Sequence, residues 1–157
     1  MTLTEIYKLQ ERGKPREAII AARGRLSETT VGSRFWEALM HIIGDCLIDL
    51  TDIEEAILVY TELIVALPDG SVAWSNRGYC LRQLGQLEKA LMDYDTAIKK
   101  KESNAADSCD GILLCKAAEL AHALGDEDRA FSYLSTAIRD FPDGKHEKRL
   151  LAKWLPG

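Results

Sequence analysis

The sequence predicts an all-α solenoid, in which antiparallel helix pairs stack side by side and a C-terminal helix closes the stack. Three observations predict it. The 157-residue chain is similar to itself at an offset near 34 residues, the length of a unit of two helices and their turns. Within a unit the apolar residues recur at helical spacing: Trp74, Leu81 and Leu84, then Leu87, Leu91, Tyr94 and Ile98. Two helices thus each offer one apolar stripe to the other. Gly85 and Gly125 stand where the first helix of a pair closes in a left-handed turn.

The offsets set the units. A shift of 34 lays Gly44 on Gly78, Cys46 on Cys80, Leu47 on Leu81, Leu50 on Leu84, Ala56 on Ala90, Tyr60 on Tyr94 and Ile64 on Ile98. A shift of 40 lays Leu84, Gly85, Ala90, Ala97 and Ile98 on Leu124, Gly125, Ala130, Ala137 and Ile138, the same period with six residues inserted. The Pro-Asp-Gly tripeptides at Pro68 and Pro142 lie 74 apart, which two periods and the insert account for. A shift of 38 maps Leu9, Ala18 and Leu26 onto Leu47, Ala56 and Ile64, so the loop SETTVGSR carries the extra residues. The expected organisation is one domain over 1–157, with units at about 1–32, 37–70, 71–104 and 111–144 and a capping helix over about 145–155.

Each element has a local reason. Pro15 suits the first turn of a helix, where its missing N–H is no loss. Asp52 and Asp126 are expected N-caps, with Glu55 completing a capping box on Asp52. Gly78 and Ala90 are small because the two helices of the third unit cross there. Cys46 and Cys80 fall on the buried side of successive first helices and read as core fillers. Beyond Gly144, Leu150, Leu151, Trp154 and Leu155 form an apolar side and Lys145, Lys148, Arg149 and Lys153 a charged one. Such a helix covers the apolar face that the last unit of an array leaves bare.

These positions resemble the tetratricopeptide repeat, a helix-turn-helix unit marked by a tryptophan, a glycine, an aromatic residue, alanines and a closing proline. Residues 71–104 carry the match most fully, with Trp74, Gly78, Leu81, Ala90, Tyr94 and Ala97 at the marked places. The second unit keeps Gly44, Leu47, Ala56, Tyr60 and Pro68, with Met40 in the tryptophan's place. The fourth keeps Ala118, Ala121, Ala130, Leu134, Ala137 and Pro142, and the first keeps Ile6, Leu9 and Ala18. Arg77 and Glu102 depart from the pattern, standing where a leucine and a proline are usual.

The resemblance implies a right-handed superhelix of about 3.5–4 repeats whose first helices line a concave groove for an extended or helical peptide. By position that groove takes Tyr7, Gln10, Glu11, His41, Asp45, Asp49, Ser75, Asn76, Tyr79, Arg82, Gln83, Cys115, Glu119 and His122. Asn76 would hydrogen-bond a peptide backbone and Tyr79, one turn on, would anchor it. The subtype that grips a terminal carboxylate with lysines, an arginine and asparagines is not indicated, since His41, Asp45, Ser75, Tyr79 and Cys115 hold the corresponding places.

Composition narrows the function. With 20 Lys and Arg against 25 Asp and Glu, the chain has a net charge of −5, which gives nucleic acid little to bind. The longest apolar stretch, AILVYTELIVALP, contains Glu62 and stops at Pro68, so neither a membrane span nor a signal peptide is expected. Cys46, Cys80, Cys109 and Cys115 form no CxxC pair, which indicates neither zinc nor a disulfide framework and fits a reducing cytoplasm. There is no phosphate-binding loop, and no nucleophile signature surrounds His41, His122 or Cys115. The acidic run from Gly125 to Arg129 lacks calcium-ligand spacing. The expectation is a non-enzymatic, cofactor-free adaptor or small chaperone with a protein or peptide partner. The alternative is a stoichiometric inhibitor or immunity-type protein covering a basic enzyme with Asp45, Asp49 and Glu119, and pairing of two chains through the terminal helix stays open.

Overall fold

The computed structural model describes residues 1–103, 111–141 and 143–154, with the side chains of 146–148 and 151–152 excepted, and among the described residues it holds nine helices. In chain order they are α1 (Leu3–Glu11), α2 (Pro15–Leu26), α3 (Arg34–Asp49), α4 (Ile53–Ala66), α5 (Ser71–Gln83), α6 (Leu87–Ser103), α7 (Gly111–Ala123), α8 (Glu127–Asp140) and α9 (Lys145–Trp154). Each helix packs on the next, so the hairpins α1–α2, α3–α4, α5–α6 and α7–α8 form one row. No strand occurs among the described residues. Pro142, Cys109, Leu155 and Pro156 lie outside them, as do the side chains of Lys148 and Leu151.

One turn joins the helices within every pair. Gly85 and Gly125 take positive φ, 72° and 77°, and so do Gly13 at 68° and Thr51 at 63°. The residue after each turn donates to the carbonyl five residues back, as Lys14 does to Leu9, Asp52 to Leu47, Gln86 to Leu81 and Asp126 to Ala121, at 2.9–3.0 Å. These are four copies of one glycine-type helix stop, and the 38, 34 and 40 offsets place all four in register. Thr51 performs it without glycine's freedom, at the steric cost of a Cβ in the left-handed region.

Two cap expectations separate. Asp126 accepts from the Arg129 N–H at 3.1 Å and caps α8. Asp52 makes no side-chain cap bond to α4; its own N–H donates to the Leu47 carbonyl at 2.9 Å, and the Glu55 carboxylate pairs with the Arg23 guanidinium of α2, so the expected box does not form. The capping box sits at the start of α1, where Glu5 N–H donates to Thr2 Oγ1 at 3.3 Å and Thr2 N–H donates to the Glu5 carboxylate at 2.6 Å.

The core runs through the row between the paired helices. Gly44 and Gly78 lie where Tyr60 and Tyr94 cross them; both tyrosines are fully buried. Met40 and Trp36 are each buried on α3, and Cys46, Cys80 and Cys115 are enclosed. Burial pushes the Cys46 and Cys80 thiols up to about 11, away from thiolate chemistry. Leu84, read from the sequence as a packing residue, is 37% exposed; it caps α5 beyond the crossing, where the second helix no longer covers it. At the far end α9 packs on α7 and α8, with Leu150 buried and the Trp154 ring stacked 4.6 Å from that of His122.

Candidate binding groove

The odd-numbered helices bring Tyr7, Asp45, Tyr79 and Glu119 to one register, since the offsets of 38, 34 and 40 relate them. Between α1, α3 and α5 lies a cavity of about 380 Å³ lined by Tyr7, Arg34, Glu37, Ala38, His41, Asp45, Val72 and Asn76. Four of these eight, Tyr7, His41, Asp45 and Asn76, are sequence-predicted. Arg34, Glu37, Ala38 and Val72 were missed, although a signal existed: Ala38, Val72 and Ile112 share a register at 34 and 40, and Val72 and Ile112 are more than half exposed.

Asp45 is the polar centre of the cavity. Its Oδ1 accepts from the Tyr60 hydroxyl at 2.5 Å and from Asn76 Nδ2 at 3.3 Å. Burial pushes its carboxyl above the usual range, against the opposing pull of the Tyr60 hydrogen bond and of His41. The same burial pushes the His41 imidazole below its ordinary value, against Asp45 and Glu37. His41 is therefore neutral near pH 7, and its buried Nδ1 has no hydrogen-bond partner among the described residues. Its ring centroid lies 6.2 Å from that of Tyr60. Asn76, expected to face a peptide, lines the cavity and donates through Nδ2 to Asp45.

Farther along, Tyr79 is half-buried with the Lys116 ammonium 5.9 Å from its ring centroid. Arg82 and Glu119 pair at 3.6 Å. His122 contacts Glu127 at 2.9 Å and stacks on Trp154, which turns it toward the α9 end. Asp49, Gln83 and Glu11 are exposed, and Ser75 and Gln10 partly so. Cys115 is a correction: it is completely buried. Apolar residues surround α7 on nearly every side, because it packs on α6, α8 and α9, and the cysteine is held inside.

Burial pushes the Cys46 and Cys80 thiols up, and among the described residues no group of three or more His, Cys, Asp or Glu is placed to hold a metal. No helix among them is long and apolar enough to cross a membrane.

Comparison with known proteins gives the fold a name. The tetratricopeptide-repeat family model matches residues 71–104, the unit of Trp74, Gly78, Leu81, Ala90 and Tyr94. Solved structures similar to the chain include a tetratricopeptide repeat protein from Parabacteroides merdae ATCC 43184, at 17% identity and TM-score 0.80, covering 94% of this chain and 55% of that one. PilW, a widely conserved type IV pilus biogenesis factor, is 17% identical at TM-score 0.79, with 94% and 64% covered. MamA from Desulfovibrio magneticus RS-1 is 13% identical at TM-score 0.73, with 91% and 75% covered. The chain thus spans little more than half of the first of these and less than two thirds of the second. No curated protein matches it in sequence. Residues 71–104 thus match the tetratricopeptide-repeat model, and the fold is similar to the helical solenoid of such proteins.

Proposed function

We propose that the chain is a non-enzymatic protein-binding module, an adaptor or small chaperone, that takes an extended or helical segment of a protein partner along α1, α3, α5 and α7. The observation that carries this reading is the single register of Tyr7, Asp45, Tyr79 and Glu119, of which Tyr7 and Asp45 line a cavity large enough for a side chain of the partner. On this reading the four hairpins are four repeats, α9 caps the last, and Tyr79 is the aromatic anchor. Enclosed, unreactive thiols fit a reducing cytoplasmic setting.

The inhibitor reading has less support. It needs Asp45, Asp49 and Glu119 as unneutralised contacts, whereas Asp45 accepts from Tyr60 and Asn76, and Glu119 pairs with Arg82. Asp49 alone is exposed.

The test is capture of a partner from the source cell's lysate by the immobilised chain, followed by affinity measurement. Truncating an aromatic anchor costs about 2 kcal/mol, a loss of roughly thirtyfold; Tyr79→Ala is expected to show it in a chain that circular dichroism shows to be folded. Met92→Ala on the opposite face is expected to bind as the parent does. Affinity that ignores Tyr79→Ala and Asn76→Ala alike moves the site off the groove. Micromolar binding of short peptides supports the adaptor, and nanomolar capture of one folded, basic enzyme supports the inhibitor.

A further inference from the structure

The even-numbered helices form the opposite face, and their outward side chains carry a pattern that the groove does not use. Ile20 on α2, Leu58 on α4 and Met92 on α6 are 74%, 69% and 67% exposed. The offsets of 38 and 34 put all three at one register. A single exposed apolar residue is ordinary, but three in phase on successive helices make a ridge. Val65, seven residues beyond Leu58 and so on the same side of α4, is also exposed and lengthens it. On this face α2 and α4 adjoin, held by the Arg23–Glu55 ion pair.

The charges beside the ridge change sign from helix to helix. On α2, Arg16 and Arg23 lie one turn to either side of Ile20, and the helix carries Arg16, Arg23 and Arg25 against Glu17. On α4, Glu54, Glu55 and Glu62 surround Leu58, and the helix has no Lys or Arg. The offset of 38 matches Arg16 to Glu54 as it matches Ile20 to Leu58. On α6, Glu88, Asp93, Asp95 and Glu102 balance Lys89, Lys99, Lys100 and Lys101.

We propose that a second copy of this chain seats on the α2–α4 part of the ridge. A two-fold axis running between α2 and α4, along the helices, lays the α2 of each copy on the α4 of the other. Ile20 of one copy then meets Leu58 of the other, and Arg16 meets Glu54, each contact made twice by symmetry. The charges select this arrangement over its competitors. Laying α2 on α2 sets Arg16 and Arg23 against themselves, and laying α4 on α4 sets three carboxylates against three. Met92 lies beyond the overlap. The two grooves face away from each other, so the dimer offers two sites at once and holds a partner with repeated segments by avidity. This inference is independent of what the groove binds.

Sedimentation equilibrium of the full chain over a micromolar concentration series tests it. The parent is expected at twice the 17.5 kDa chain mass. Leu58→Asn is expected to run as a monomer, and Met92→Asn as a dimer. Arg16→Glu and Glu54→Lys, each alone, are expected to weaken the dimer at least about tenfold by replacing attraction with repulsion twice. Mixed in equal amounts, these two variants are expected to form a heterodimer, because positions 16 and 54 then carry opposite charges in both of the symmetry-related contacts. Circular dichroism matching the parent confirms that each variant is folded. A monomeric parent, a dimer as sensitive to Met92→Asn as to Leu58→Asn, or a mixture that stays monomeric overturns the proposal.

Discussion

The second and third helix pairs share their tightest contact and differ in the residues beside it. In α3–α4 a Cβ added to Gly44 would sit 2.5 Å from Tyr60 Cζ; in α5–α6 one added to Gly78 would sit 2.9 Å from Tyr94 Cδ1. One residue before each glycine the pairs diverge. Ile43 and Val59, both buried, become Arg77 and Asp93 at the offset of 34. Arg77 binds Asp93 through two parallel bonds, Nε to Oδ2 at 2.8 Å and Nη2 to Oδ1 at 2.9 Å. It also donates to Thr61 Oγ1 on α4 at 3.2 Å and lies 4.9 Å from the Trp74 ring centroid. Asp93 is 4% exposed. One site in one fold therefore holds either an apolar pair or a satisfied ion pair. An ion pair of this kind adds little net stability, since desolvation offsets its attraction. What it adds is a three-helix junction that only one docking of α4, α5 and α6 satisfies.

The largest way to break the comparison is Arg77→Leu. It leaves the Asp93 carboxylate buried without its partner and is expected to cost about 3–5 kcal/mol in denaturant unfolding; a loss below about 1 kcal/mol would mean that the pair is effectively solvated. Next come the glycines. Gly44→Ala and Gly78→Ala force the facing tyrosine aside and are each expected to cost about 1–3 kcal/mol, with Gly44 the worse because its contact is closer. The double change Arg77→Ile with Asp93→Val rebuilds the second pair's solution in the third and is expected to unfold within about 1 kcal/mol of the parent or above it. The smallest effect concerns the turns. Thr51→Gly gives the second pair the residue that the third has at Gly85, and is expected to stabilise by about 0.5–1 kcal/mol, read from the melting temperature.

The architecture was legible because a 34-residue period is a packing constraint repeated, and any unit read well predicts its neighbours. Gly13 and Thr51 follow from Gly85 by the same offsets, even though threonine gives no turn signal of its own. Leu84 and Cys115 were misplaced for the converse reason. Helical phase tells which side a residue is on, not how many neighbours cover that side, and α7 has three. The capping box at Asp52 does not form: its N–H goes to the Leu47 carbonyl, and Glu55 pairs with Arg23, a residue 32 positions away that local spacing does not reveal. Arg77 was visible as a departure from the pattern. Its partner Asp93 was not, because a cross-helix pair needs the crossing register. In the groove the residue types were legible and their commitments were not: Asn76 reads as a free amide until Asp45 is seen beside it.

Helix α5 divides its residues by face: Trp74, Arg77, Gly78 and Leu81 build the solenoid, and Ser75, Asn76, Tyr79, Arg82 and Gln83 lie on the face proposed for the partner. The most direct measurement is the partner's binding isotherm on Tyr79→Ala beside that on Arg77→Ile with Asp93→Val, each with its melting temperature. Lost binding is expected for the first, at a melting temperature that leaves it folded under the assay conditions, and parental binding for the second. Parental binding to Tyr79→Ala together with lost binding to a folded Arg77→Ile, Asp93→Val chain would contradict this division.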